Sequence, residues 1–181
     1  MNCYGGWDPS LRSEVETAGY SQYLDAFVDN VLSREDQIGA VYISGGMHDS
    51  LGRTECETTK PELEKRLEAK GLNIEINVDE ESVTSQMILV KFLKTWQKEY
   101  HKMQLLLFVD ENRYETNLFV FKYYALKMKL DLVAEEVIVP LPRADDHPHS
   151  SKELQAKKIE KMKELGVEEV GRLETEARAN S

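Results

Sequence analysis

Ile38-Gly39-Ala40-Val41-Tyr42-Ile43-Ser44 is β-branched and apolar, and it stops on two consecutive glycines, Gly45-Gly46. A run that is apolar on both faces reads as a buried strand, and the glycines read as the loop it enters. Such a strand has to be covered on both sides, and that selects layered architectures in which helices flank a sheet.

The remaining blocks fit that frame. Tyr20, Tyr23/Leu24, Phe27/Val28 and Val31 recur at helical spacing. Thr59-Lys60-Pro61-Glu62 predicts a helix start, with Leu63, Leu67 and Leu72 along one side and Gly71 as its stop. Leu72–Val78 alternates as a strand with one drier face. Ser82 is placed to cap a helix that carries Met87/Ile88, Phe92, Trp96 and Tyr100. Met103–Val109 is the most apolar run and predicts the central strand. A helix from about Tyr114 to Lys129 follows, and then a strand over Leu132–Val139, broken by Pro140 and Pro142. Ser150-Ser151-Lys152-Glu153 resembles a capping box before a charged last helix that ends near Gly166. Alternating strands and helices predict βαβ units. The expected fold is α/β, a three-layer Rossmann-like arrangement with a mostly parallel sheet of about five strands. It is expected as a single domain over residues 1–166, with a polar C-terminal tail over 167–181 that frays over Arg172–Ser181.

Charge narrows the partners. The 181 residues carry a formal net charge of -10, with acidic and basic residues mixed along the chain. A phosphate-rich polymer is repelled by such a surface, so bare nucleic acid is not an expected partner. No apolar run approaches the roughly 18–20 residues of a membrane span, and no basic-then-apolar leader opens the chain. A cytoplasmic protein is expected. Cys3 and Cys56 are too few for a disulfide framework and lack zinc-ligand spacing. One bond between them is possible, and two reduced thiols are the expected state.

Ligands of open parallel sheets bind beyond the carboxyl ends of the strands, so the loops leaving the strands carry the candidates. Gly45 and Gly46 allow close backbone approach and N–H groups aimed at an anion, and Ser44 adds a hydroxyl. Arg53 is a charge partner for phosphate or carboxylate. Glu55 and Glu57 are candidate catalytic carboxylates, as acid–base or nucleophile, or as acceptors for ribose hydroxyls. A plain helix-dipole role explains them equally. Ser82 and Thr84 sit at a helix N-terminus suited to anions or to simple capping. Asp110, Asn112 and Arg113 follow the most buried strand. Gly5 and Gly6 form the first glycine turn. Asp145-Asp146-His147-Pro148-His149 has metal-ligand residue types, but Pro148 holds the chain extended between the histidines, and no metal is assigned. His48 lacks a sequence partner for acid–base work, and His101 falls at the wrong end of the sheet.

From Val41 to Gly46 the pattern resembles the SanA/YdcF-like family, a Rossmann-like domain of largely unknown function. The matching pieces are Ser44-Gly45-Gly46, Glu55 or Glu57, Gly71, Glu80/Glu81-Ser82-Val83-Thr84-Ser85, and a strand leading into Asp110–Arg113. Where that family has a histidine and an arginine, this chain has Tyr114 and Asn117. The resemblance implies ligand binding more than catalysis. It also implies a nucleotide-like or other anionic small molecule, with S-adenosylmethionine or a nucleotide as a possible cofactor. Two other readings stand beside it. One is a hydrolase or transferase acting on a nucleoside or sugar phosphate through Glu57 or Glu55, as the likeness of Tyr42–Met47 to nucleoside deoxyribosyltransferase-like proteins suggests. The other is a non-catalytic interaction protein using Leu154, Ile159, Met162 and Leu165 on the last helix.

Overall fold

The structure is a computed structural model that describes residues 1–3, 6–38, 40–133, 137–143 and 151–180. The chain divides into two compact units, Met1–Ser82 with Leu141–His147, and Val83–Pro140 with Pro148–Ser181.

In the first unit, Ser13 caps α1 (Glu14–Leu32) in a reciprocal capping box with Glu16. Helical spacing then brings Tyr20, Tyr23, Leu24, Phe27, Val28 and Val31 to its buried side. β1 (Val41–Ser44) is followed by α2 (Glu55–Ala69), and β2 (Ile76–Asp79) pairs with β1 in parallel, Val41 opposite Ile76 and Ser44 opposite Asp79. Residues 1–3 add one isolated parallel bridge, Asn2 with Ser44, on β1. The core between these pieces holds Ile43, Leu63, Leu67, Cys3 and Cys56. Two tyrosine hydroxyls are buried without losing a partner: Tyr23 donates to the Asn2 carbonyl at 2.9 Å, and Tyr20 meets Thr59 Oγ1 at 2.8 Å. Trp7 stacks on Tyr20 with ring centroids 6.0 Å apart. The Arg66 guanidinium lies 5.2 Å from the Trp7 ring, and Arg143 lies 5.0 Å from that of Tyr20.

In the second unit, Thr84 caps α3 (Ser85–Thr95), which runs on into a wider turn over Trp96–Tyr100. β3 (Leu107–Asp110) is buried along its length and pairs with β4 (Ile138–Leu141). α4 (Tyr114–Lys127), α5 (Lys152–Leu165) and α6 (Val167–Ala179) complete it. Leu89, Leu93, Val120, Phe121, Met162 and Val170 are buried there. Gly171 on α6 faces Gln86 on α3, and a Cβ at Gly171 would sit 3.1 Å from that side chain, so the glycine lets the two helices approach. The Trp96 indole N–H donates to the Met103 carbonyl at 3.0 Å.

This architecture corrects the expected five-stranded, three-layer Rossmann-like sheet. The described residues are 60% helix and 11% strand, and their strands form two separate pairs. Each strand is four residues long, shorter than the apolar block that announces it. Leu105 is buried but precedes β3, so apolarity there marks burial and not ladder pairing. Residues 167–179 of the expected polar tail, including Arg172–Ala179 where fraying was expected, are helical because Val167 and Val170 have a core to enter. α2 begins one turn before the expected Thr59 start, since Thr54 and Glu57 make a capping box and Pro61 is carried inside the helix. No helix among the described residues is long and apolar enough to cross a membrane.

Candidate functional site

The Ser44-Gly45-Gly46 loop leaves β1 at the C-terminal edge of the β1–β2 pair and is locked there by backbone hydrogen bonds. The Gly45 N–H donates to the Asp79 carbonyl and the Gly46 N–H to the Ser82 carbonyl, each at 3.0 Å. Gly46 is required by space: a Cβ there would run into the backbone carbonyl of Glu80. At Gly45 a Cβ would come within 2.6 Å of Glu55 Oε2 and 2.9 Å of the Cβ atoms of Cys3 and Glu55. The glycines therefore let two loops interlock, and the N–H groups expected to face an anion bind the neighbouring loop instead.

The start of α2 is satisfied in the same way. The Glu55 N–H donates to the Met47 carbonyl at 2.9 Å and the Cys56 N–H to the Gly45 carbonyl at 3.1 Å. The Glu57 N–H donates to Thr54 Oγ1 at 3.0 Å, and the Glu57 carboxylate accepts the Thr54 N–H at 2.6 Å. Glu57 is thus an exposed capping residue. Glu55 is half-buried, with its carboxylate against Gly45.

Arg53 is shared between two carboxylates. It contacts Asp8 through Nη2, and its Nε donates to Asp49 Oδ2 at 2.9 Å. Asp49 also accepts the backbone N–H groups of Leu51 at 2.8 Å and Arg53 at 3.0 Å. Asp8 is held down to a pKa of about 2, first by the Ser10 hydroxyl and then by Arg53. Asp49 is lowered mainly by the Arg53 N–H. The guanidinium expected to bind a ligand anion thus ties the loop together.

Asp79, which sequence reading left out of the site, stands opposite Ser44 in register. Its Oδ2 accepts the Ser44 hydroxyl at 2.8 Å and its Oδ1 the Glu81 N–H at 3.2 Å. Parallel pairing of two strands that both end in a polar residue could have been read from Ser44 and Asp79, but only with the register known. Asp8 carried no sequence signal as a partner of Arg53, 45 positions away. Asp49 did, at four residues' spacing.

Ser82 is buried in the first unit. Thr84, Asp110, Asn112 and Arg113 belong to the second. Thr84 Oγ1 accepts the Met87 N–H at 3.2 Å as the α3 cap. Asp110 is fully buried, accepts the Arg113 N–H at 3.0 Å and lies 3.5 Å from Arg113 Nε. Asn117 donates to the Arg113 carbonyl at 2.9 Å, so these residues shape the turn into α4. Gly6 adopts a φ of 66°, and a Cβ there would lie 2.5 Å from Thr58 Oγ1. Gly5 and Asp145–His149 lie outside the described residues. His48 and His101 are exposed. No group of three or more metal-ligating side chains occurs among the described residues. On α5, Leu154 and Leu165 are exposed, Ile159 is half-buried and Met162 is buried.

Comparison with protein-family models, with curated proteins and with solved structures finds no match to this chain.

Proposed function

We propose that the chain binds a nucleoside-like small molecule at the C-terminal edge of the β1–β2 pair, with Ser44, Glu55 and Asp79 facing its hydrogen-bond donors. The carrying observation is the inventory of that edge. The N–H groups of Gly45, Gly46, Glu55, Cys56 and Glu57 all bind protein acceptors, and Arg53 bridges Asp8 and Asp49. What the edge contributes is carboxylate and hydroxyl oxygen, which can accept further hydrogen bonds beside the Ser44–Asp79 and Glu81–Asp79 bonds, and that suits ribose hydroxyls, amines or a cationic centre better than phosphate. The nucleoside class comes from the SanA/YdcF-like resemblance of Ser44-Gly45-Gly46, without the sheet that resemblance implies. S-adenosylmethionine, a nucleoside with a cationic sulfur, fits the same chemistry. A cytoplasmic location belongs to this reading.

Calorimetric titration with adenosine, S-adenosylmethionine, adenosine triphosphate and inorganic phosphate tests it. Adenosine or S-adenosylmethionine should bind, and Glu55→Gln and Asp79→Asn should each weaken binding by about tenfold or more. Tighter binding of triphosphate or phosphate than of the nucleoside would restore the anion reading and sink this one. Catalysis through Glu55 is a second reading: its half-buried carboxylate lies against Gly45 in the loop, whereas Glu57 is exposed at the start of α2. In that case nucleoside turnover would vanish in Glu55→Gln while binding persisted.

A further inference from the structure

Cys3 and Cys56 lie 53 positions apart in sequence, yet their sulfurs stand 3.7 Å apart, both fully buried. Their backbones are held by adjacent carbonyls: the Cys3 N–H donates to Ser44 O at 2.8 Å, and the Cys56 N–H to Gly45 O at 3.1 Å. Gly45 makes this possible, since a side chain there would meet the Cys3 Cβ at 2.9 Å. Cys56 Sγ also lies 3.6 Å from the Asp79 carbonyl oxygen.

We propose that Cys3 and Cys56 are a redox-modification site that closes to a reversible intramolecular disulfide, with a small peroxide as oxidant. The bond would clamp residues 1–3 to the first turn of α2, directly behind the Ser44-Gly45-Gly46 loop. Bringing the sulfurs from contact to a bond of about 2.05 Å asks for a shift of less than 2 Å, within reach of side-chain rotation. The inference does not depend on the ligand reading.

The chemistry balances with peroxide alone. Cys56, in the first turn of α2, gives up its proton and attacks one peroxide oxygen. The O–O bond breaks, and the departing hydroxide takes that proton and leaves as water. The Cys3 sulfur then attacks the Cys56 sulfenic sulfur, the S–O bond breaks, and the hydroxyl leaves as a second water with the Cys3 proton. Two thiols lose two electrons and two protons, and the peroxide is reduced to two waters. Burial pushes the Cys3 thiol up, which suits it to the second, resolving step. Both cysteines are fully buried, so peroxide reaches them only when the surrounding structure opens, and closure is slow in the intact fold.

The experiment treats the reduced full-length chain with hydrogen peroxide, blocks remaining thiols after unfolding, and maps the peptides. Met47 and Met103 are exposed and will gain oxygen, so the readout is the cross-linked peptide and not the intact mass. The expected result is a peptide joining Cys3 to Cys56 in the monomer, lost on adding dithiothreitol. A midpoint of thermal unfolding higher by about 5–10 °C should be lost with it. The Cys3→Ser variant should instead accumulate Cys56 sulfinate, about 32 Da heavier. Recovery of two thiols from the treated wild type, a bond only between two chains, or sulfinate at Cys56 with Cys3 present would each overturn the proposal. An oxidised form that melts no higher would overturn the clamp.

Discussion

A single methyl group at Gly46 has nowhere to go, because the atom it meets is a backbone carbonyl and not the tip of a flexible side chain. Gly46→Ala is expected to cost about 1–3 kcal/mol or more, read as a lower urea midpoint with an unchanged slope. Wild-type stability in that variant would mean the two loops are not interlocked. Asp8 offers a test by pH. Its folded pKa is depressed from 3.8 to about 2, first by Ser10 and then by Arg53. The group therefore stabilises the fold fully above 3.8, and that contribution fades as pH falls towards 2. Asp8→Asn should flatten the acid limb of stability across that window in urea melts. An acid limb identical to wild type would show that the contacts of Asp8 with Ser10 and Arg53 hold nothing.

At the scale of elements, what was legible was local, and what was missed was pairing. The spacing of Tyr20, Tyr23, Leu24, Phe27, Val28 and Val31 announced α1, and the run into Ser44 announced β1. Whether two strands share a ladder depends on distant residues, and no periodicity inside Met103–Val109 could say that β3 would pair with β4. The candidate site was half legible for the same reason. Ser44, Gly45 and Gly46 were visible as a loop, while Asp79 entered only through the register that sets it opposite Ser44. The misplaced start of α2 came from reading Pro61 as an N-terminal proline when Thr54 and Glu57 were the stronger signal. Thr54→Ala should therefore cost about 1 kcal/mol, with Glu57→Ala somewhat less, in denaturant unfolding followed by circular dichroism. If Glu57→Ala were neutral and Thr59→Ala costly as a cap loss, the helix would start where the sequence reading put it.

For the whole molecule, the surplus of 33 acidic over 23 basic residues sets behaviour in solution more than shape. Solubility should pass through its minimum near pH 5.0, the isoelectric point, and light scattering across pH 4 to 7 checks it. The chain should also pass unretained through a heparin column at low salt, and retention would reveal a basic patch that the sequence does not show. The two tryptophans bear on a separate matter. Trp7 sits in the first unit, stacked on Tyr20 under a guanidinium, and Trp96 in the second, hydrogen-bonded to a carbonyl. Each unit thus carries its own fluorophore. Emission from Trp96→Phe and from Trp7→Phe would follow one unit at a time, and the two melting curves, laid over each other, would reveal whether the halves lose their structure in one cooperative step or in two.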